Sequence, residues 1–127
     1  MSSLSLQKVM DKMKLENLTP EVDITGRKIT QPDINRVALQ MAGYFEHFES
    51  ARLQIIGYVE YSYMNSLTEE VKKDRYEKLL SYPIPGIVFC RELVPDDLFK
   101  QTAIKHNVPL LMTKQATSAF MAEIIRW

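Results

Sequence analysis

Residues 86–112 read GIVFCRELVPDDLFKQTAIKHNVPLLM, and this stretch decides the fold class. It opens with the apolar run Ile87-Val88-Phe89-Cys90 and closes with the apolar run Val108-Pro109-Leu110-Leu111-Met112. Apolar runs of this length are typical of strands covered on both faces, as in a parallel sheet. Pro95-Asp96-Asp97 between them suits the first turn of a helix. A strand–helix–strand unit crosses over right-handedly with parallel strands, so the predicted fold class is α/β.

The helix inside this unit has a recognisable apolar face and a recognisable end. Asn107 is a plausible C-terminal cap. The residues that share the face are Leu98, Phe99, Thr102, Ala103 and His106.

The rest of the chain extends the pattern in both directions. Upstream, Ser5 can cap a helix, and short strands are predicted at Leu15–Leu18, Lys28–Thr30 and Leu53–Ile56. We expect a helix to start at Pro32-Asp33 and to end near Gly43. The apolar positions expected on its inner face are Val37, Met41, Ala42 and Phe45.

Three further segments complete the expected layout. Residues 59–64 are compatible with a strand or a helix. Ser66 and Glu69 have the spacing of a capping box, which predicts a charged helix ending near Leu80. A last amphipathic helix is expected from about Ala116, and because the chain ends on it, we expect a segment of a longer protein. No linker or repeat divides residues 1–127, so a single domain is predicted.

Composition excludes several classes of function. Sixteen basic and sixteen acidic residues cancel, so no global field attracts nucleic acid or an anionic membrane. No apolar segment approaches the ~20 residues that a membrane span needs, and the N-terminus lacks a signal peptide. Cys90 is the single cysteine, which rules out an intrachain disulfide and is consistent with a reducing compartment. We expect a cytoplasmic protein that binds neither nucleic acid nor membrane.

The residues that carry enzyme chemistry are scattered. Glycines stand at positions 26, 43, 57 and 86, too far apart for a phosphate-binding loop, so we expect no ATP site of the usual kinase type. His47, beside Glu46 and Glu49, is more typical of a solvated helix end than of a metal site. Cys90 reads as a core residue, and nothing in the sequence brings it to His106. We therefore predict no catalytic residue, metal or cofactor in this segment.

One possible binding site follows from the predicted sheet. Ligands of open α/β sheets gather outside the carboxyl ends of the strands. Arg91 follows one predicted strand there, Thr113 and Lys114 follow the next, and Thr117 opens the last helix. We hypothesise that these four residues bind a small anion or a phosphorylated metabolite. The alternative, ordinary capping and solvated residues, is the commoner case for such loops.

An aromatic-rich region between Tyr44 and Tyr63 suggests a second surface. Aromatic side chains are enriched in protein interfaces but are also common in cores. We expect Phe45 and Phe48 to be core residues. A subunit contact is predicted from Tyr44, Arg52, Tyr58 and Tyr61.

Several motifs together resemble the N-terminal domain of the bacterial HPr kinase/phosphorylase family. The most specific are Ala42-Gly43-Tyr44-Phe45 and the later Arg52, Gln54 and Gly57, extended by Glu60 and Ser62. Pro85-Gly86-Ile87-Val88 with Arg91 is similar to the family's T-P-A-I-I-x-x-R. Val108-Pro109-Leu110-Leu111 with Thr113 is similar to its I-P-L-L-x-T. Where the family commonly has S-R-P-G-L, this chain has Asn35-Arg36-Val37-Ala38-Leu39, which changes the start of the following helix.

The resemblance implies a fold and a role. Domains of this family resemble the first domain of Mur ligases, a sheet flanked by helices. The parent would be an ATP- or pyrophosphate-dependent protein serine kinase/phosphorylase acting on the phosphocarrier HPr in carbon catabolite control. ATP, Mg²⁺ and HPr would be bound by a C-terminal P-loop domain absent from this chain. The expected role here is non-catalytic, in assembly or regulation, with that kinase domain and sister subunits as partners. The alternative is a free-standing ligand-sensing module of DRTGG type.

Overall fold

The fold alternates strands and helices along most of its length. The computed structural model describes residues 4–31 and 33–126. Its strands are β1 (Leu4–Ser5), β2 (Glu16–Asn17), β3 (Lys28–Ile29), β4 (Ile34–Arg36), β5 (Leu53–Ile56), β6 (Ile87–Phe89) and β7 (Leu110–Met112). Its helices are α1 (Leu6–Met13), α2 (Ala38–Met41), α3 (Tyr58–Ser66), α4 (Glu69–Leu80), α5 (Asp97–Lys105) and α6 (Thr117–Ile125).

The main sheet has five strands in the order β2-β7-β6-β5-β4. Strands β4 to β7 are parallel, with Gln54 opposite Ile87 and Ile87 opposite Leu110, while β2 joins the β7 edge antiparallel. The predicted α/β class and the parallel strand–helix–strand unit of residues 86–112 are confirmed. Strands β1 and β3 form a separate antiparallel pair.

Both faces of the main sheet are buried, and alternate residues of each strand serve different cores. Ile56, Ile87, Phe89 and Leu110 pack with residues of α2, α4 and α5 on one face. The intervening residues pack with α1 and α6 on the other face, and they are Leu53, Ile55, Val88, Cys90 and Leu111. Because successive strand residues point to opposite faces, a strand buried on both sides is apolar on both. This explains the uninterrupted apolar runs of β6 and β7, whereas β5 is apolar except for Gln54.

Side-chain caps fix the starts of three helices. Ser5 Oγ accepts from the Lys8 amide at 3.1 Å, and Asp96 Oδ1 accepts from the Phe99 amide at 2.7 Å. The expected Ser66–Glu69 capping box is wrong, because Thr68 Oγ1 caps α4 by accepting from the Val71 amide at 3.3 Å. Ser66 is the last residue of α3, and its hydroxyl donates to the Tyr63 carbonyl instead.

The helix expected from Pro32-Asp33 is also wrong. Pro32 lies outside the described residues, and residues 34–36 form β4, which pairs with β5. Helix α2 is limited to Ala38–Met41, although Val37 and Met41 are buried as expected. Gly43 follows with φ +98°, a conformation that L side chains rarely adopt. Residues 59–64, compatible with either element, lie in helix α3.

A buried amide network ties β4 and β5 to the loop between them. Gln54 is fully buried, and its Oε1 accepts from Asn35 Nδ2 at 2.7 Å. Its Nε2 donates to the carbonyls of Glu49 at 3.0 Å and Arg52 at 2.8 Å. Asn35 Nδ2 also donates to Gln40 Oε1 at 3.2 Å. The polar residue in the middle of the otherwise apolar β5 therefore holds the loop that leads into it.

Replacing Gln54 by leucine should destabilise the protein by about 3 kcal/mol, because two carbonyls and one amide lose a buried partner. Urea unfolding followed by circular dichroism measures this change. Gln7→Leu is the matched control, since Gln7 makes an exposed hydrogen bond to Asp11 and should lose less than about 0.5 kcal/mol. Equal effects of the two changes would contradict the role given to the network.

Candidate functional site

The carboxyl ends of the parallel strands form one edge of the sheet, and polar residues gather there. The loop after β6 leads to α5, on the face of the first core, whereas the loop after β7 leads to α6, on the opposite face. Adjacent loops that diverge in this way define the usual ligand crevice of open α/β sheets. The β6–β7 crevice is therefore the expected place for a ligand.

Backbone hydrogen bonds close that crevice. The Arg91 amide donates to the Gln115 carbonyl at 2.9 Å, and the Glu92 amide donates to the Thr113 carbonyl at 3.0 Å. Arg91 and Glu92 both have left-handed backbones, with φ of 58° and 57°. These bonds join the two loops across the space that a ligand would otherwise enter.

An ion pair occupies the neighbouring part of the same edge. Arg36 Nε lies 2.9 Å from Glu60 Oε2, and Arg36 Nη2 donates to Glu60 Oε1 at 3.0 Å. The Glu60 side chain is only 4% exposed, and its Oε1 also accepts from the Gly57 amide at 2.7 Å. Glu60 thus caps α3 and fixes Arg36, the last residue of β4. A bidentate pair of this kind is geometrically specific, and removing Arg36 would leave the buried Glu60 carboxylate without its cation, whereas the Arg36 side chain is 41% exposed.

Gly57 is required by close packing rather than by an unusual backbone. A Cβ there would overlap Thr117 Oγ1 and would lie 3.0 Å from Arg36 Nη2 and 3.1 Å from Glu60 Oε1. Thr117 begins α6, so this contact joins the end of β5 to the last helix. The absence of a side chain at residue 57 lets the two elements meet.

Cys90 lies inside this polar cluster and is fully buried. Burial raises the pKa of its thiol, while a hydrogen bond with Thr117 and the charge of Arg36 act in the opposite direction. His106 caps the C-terminus of α5 and pairs with Glu77. The two residues occupy different surroundings and do not form a nucleophile–base pair.

The four residues predicted to bind an anion are not brought together in one cavity. Thr113 and Lys114 line a cleft of about 350 Å³ between the end of α1 and the loop after β7, whereas Arg91 and Thr117 do not. Thr113 is 3% exposed, and its hydroxyl accepts from the Gln115 amide at 3.2 Å. Thr117 is 8% exposed. Anion binding by this set stays a prediction.

The residues predicted to form a subunit contact differ in exposure. Tyr44 and Tyr58 are 46% and 63% exposed. Tyr61 is half-buried and donates its hydroxyl to the Val94 carbonyl at 2.7 Å. Arg52 lies 3.8 Å from Asp33 and 4.0 Å from Glu49, as loose ion pairs. Tyr44 and Tyr58 are therefore the members of the set with free ring surface.

Phe45 and Phe48, which we expected in the core, pack against the first core together with Tyr82. The rings of Phe45 and Tyr82 stack with centroids 5.7 Å apart, and Phe48 meets Tyr82 edge-on at 4.9 Å. The aromatic-rich region therefore divides into a packed half and an exposed half.

The contacts among Gly57, Glu60, Arg36 and Thr117 were not predicted from the sequence. A glycine followed three residues later by glutamate, Gly57 and Glu60, is a capping signal that the pattern alone could have shown. The partners Arg36 and Thr117 carry no such signal, because their contacts depend on strand pairing. Lys12 and Lys14, which line the 350 Å³ cleft, were missed for the same reason.

Two negative findings apply to residues 4–31 and 33–126. Within these ranges no three His, Cys, Asp or Glu side chains are placed to hold a metal ion. Nor does any helix there combine the length and apolar character of a membrane span.

The architecture defines a class: an α/β domain with a mostly parallel sheet covered by helices on both faces. A solved structure with this fold is the CBS and DRTGG domains of the regulatory region of Clostridium perfringens pyrophosphatase, complexed with the activator diadenosine tetraphosphate. The match has a TM-score of 0.65 and 15% identity over 95% of this chain and 46% of the other. At this identity the likeness shows the fold alone.

The family follows from sequence. Residues 4–127 match the family described as HPr Serine kinase N terminus, and the chain belongs to that family. The HPr kinase/phosphorylase of Lachnoclostridium phytofermentans is 48% identical over 127 residues, which are all of this chain and 41% of the relative. That of Caldicellulosiruptor bescii is 36% identical over 117 residues, 92% of this chain and 38% of the relative. The resemblance found in the motifs is confirmed, and the chain spans about two fifths of these relatives' length.

Gly57→Ala should destabilise the protein by about 2 kcal/mol, because the new methyl group overlaps Thr117 Oγ1. In a Thr117→Ala background most of that penalty should disappear, since the overlapping atom is gone. Guanidinium unfolding of the four proteins gives the coupling between the two sites. Thr117→Val is the control, because valine keeps an atom at the position of Thr117 Oγ1. In that background Gly57→Ala should still destabilise the protein. Additive effects of Gly57→Ala and Thr117→Ala would contradict the contact.

Proposed function

We propose that this chain is a non-catalytic N-terminal accessory domain that serves the assembly or regulation of an HPr kinase/phosphorylase. The observation that carries the proposal is the family match over residues 4–127, together with coverage of only 41% of a relative's length. Two further observations favour a non-catalytic role. The glycines are widely spaced, and the Arg36–Glu60 ion pair occupies part of the carboxyl edge of the sheet.

The proposal assigns the chemistry to the remaining part of such a protein. A C-terminal kinase domain with a P-loop would bind ATP or pyrophosphate and Mg²⁺ and would act on a serine of HPr. Residues 1–127 would form one domain that contacts this kinase domain and sister subunits in the cytoplasm. The relatives' printed name, HPr kinase/phosphorylase, supports HPr as the partner of the whole protein.

A subunit contact through Tyr44, Arg52, Tyr58 and Tyr61 is part of the proposal. The exposed rings of Tyr44 and Tyr58 offer apolar area at low entropic cost, which is the chemistry of interface anchors. Val59, on α3 beside Tyr58, is 66% exposed and extends the apolar surface.

Ligand sensing is the second candidate, and the shared fold with the C. perfringens regulatory region favours it. That region was crystallised with its activator bound. A module of this kind would change the activity of an attached domain when a small molecule binds. The two candidates are compatible, because a regulatory domain can both assemble and sense.

The chain alone should not phosphorylate HPr. Incubation with HPr, Mg²⁺ and either ATP or pyrophosphate, followed by mass spectrometry of HPr, should show no phosphoserine. The full-length L. phytofermentans relative serves as the positive control. Phosphorylation that rises in proportion to the concentration of the purified chain would overturn the non-catalytic assignment.

Assembly is tested by exchanging segments in the L. phytofermentans relative. Deleting the segment that aligns with this chain should lower the number of subunits per particle, obtained by light scattering, or change the kinase activity. Inserting this chain in its place should restore both. Within the chimera, Tyr58→Ser should weaken association about tenfold, whereas Ser62→Ala, an exposed change on the same helix, should not. A deletion that leaves the number of subunits and the kinase activity unchanged would contradict the proposal.

A further inference from the structure

A group of basic residues surrounds the cleft beside the loop after β7. We call it the lysine cleft and define it by Lys12, Lys14, Thr113, Lys114, Gln115 and Glu123. It lies between the C-terminal end of α1, the loop after β7 and helix α6. Its volume of about 350 Å³ falls in the range of small-molecule sites.

The charge of the lysine cleft differs from that of the chain as a whole. The chain has no net charge, yet the cleft carries three lysines and one glutamate. Lys14 and Lys114 have no ion-pair partner among residues 4–31 and 33–126. The Glu123 carboxylate accepts from the Gln115 side-chain amide at 3.2 Å. Two ammonium groups therefore remain available to an anion.

The backbone on both sides of the cleft is held in place. The antiparallel pair of Glu16 with Met112 sets the residues before β2 beside those after β7. Thr113 donates its amide to the Phe89 carbonyl at 2.9 Å, and the Gln115 carbonyl accepts from Arg91. Lys14 is the C-cap of α1 with φ 54°, and its amide donates to the Met10 carbonyl. Binding a ligand here would not have to order either segment, which lowers the cost of association.

The same charges limit what the cleft can hold. A lysine ammonium acts as a point charge for phosphate groups. Glu123 repels an anion, so the net electrostatic attraction for a ligand with one negative charge is small. A ligand with several negative charges is attracted more strongly, because it can contact both Lys14 and Lys114. Backbone bonds close the open crevice expected between β6 and β7, whereas this cleft is open to solvent beside Lys14 and Lys114.

We propose that the lysine cleft binds a small, multiply charged phosphate compound, held by Lys14 and Lys114. This inference rests on the regulatory part of the proposed function and names the site and ligand class for it. It differs from the set expected from sequence, because Lys14 takes part and Arg91 and Thr117 do not.

The test is a titration of the chain with pyrophosphate, followed by ¹H–¹⁵N NMR at constant ionic strength. Saturable shifts are expected at the backbone amides of Lys14 and of residues 113–115. Inorganic phosphate should bind more weakly and acetate should give no saturable shift. Shifts that rise linearly and spread over lysines across the surface would overturn the proposal.

Charge variants decide whether these residues are responsible. Lys14→Gln/Lys114→Gln should weaken pyrophosphate binding about tenfold or more, with the spectrum otherwise that of the folded protein. Glu123→Gln should strengthen binding, a gain that damage to the fold cannot produce. Arg91→Ala is the matched control from the adjacent loop and should leave the affinity unchanged. An unchanged affinity in the double variant, or loss of binding in Arg91→Ala, would overturn the assignment.

The result is independent of the assembly test. If the segment exchange changes the number of subunits or the activity but pyrophosphate does not bind, the ligand site proposed at the lysine cleft is wrong and the accessory role stands. If pyrophosphate binds as expected but deletion of the segment has no effect, the site stands and the proposed function is wrong.

Discussion

The structure depends on one constraint, the burial of both faces of the parallel sheet. Strands β6 and β7 carry apolar residues at successive positions, and β5 does so apart from Gln54, so water must be excluded from both sides at once. Helices α2, α4 and α5 cover one face, and α1 and α6 cover the other. The chain must therefore change faces after β7, and this change decides where its loops diverge.

At the carboxyl edge of the sheet, where such folds commonly bind ligands, the polar residues instead hold neighbouring elements together. Glu60 satisfies the Gly57 amide and neutralises Arg36, and Thr117 packs against Gly57. Buried polar groups of this kind are costly when any partner is missing, so they fix a unique arrangement of β4, β5, α3 and α6. The loops after β6 and β7 are joined by their own backbones. Unpaired positive charge is left beside α1, at the antiparallel β2 side of the sheet.

The limits of sequence reasoning follow from which contacts are local. Pro95-Asp96-Asp97 was expected in the first turn of a helix, and α5 does begin there, with Asp97 in its first turn and Asp96 as its cap. The segment Ile34–Arg36 was expected in a helix, because its local pattern does not reveal that β5 pairs with it. Similarly, Ser66 has the spacing of a capping box with Glu69, but it is the last residue of α3. Thr68 caps α4 instead.

The same distinction applies to the candidate site. Thr113 and Lys114 were placed correctly after a parallel strand, and both line a cleft. Arg91 follows the neighbouring strand, but its amide is used to close the crevice. Lys14 is far from Lys114 in sequence, and only the β2–β7 pair brings the two to one cleft. A site built from residues that follow different strands needs the register of those strands to be known.

By itself, the sequence determined the α/β class, the buried central strands and membership in the family, because hydrophobic runs, caps and short motifs are local properties. The tertiary structure alone decided that Arg36 meets Glu60, that Gly57 must lack a side chain to admit Thr117, and that Lys14 and Lys114 line one cleft. These contacts join residues distant in sequence. Their geometry is set by strand register and by the packing of helices on both faces of the sheet, which no local pattern encodes.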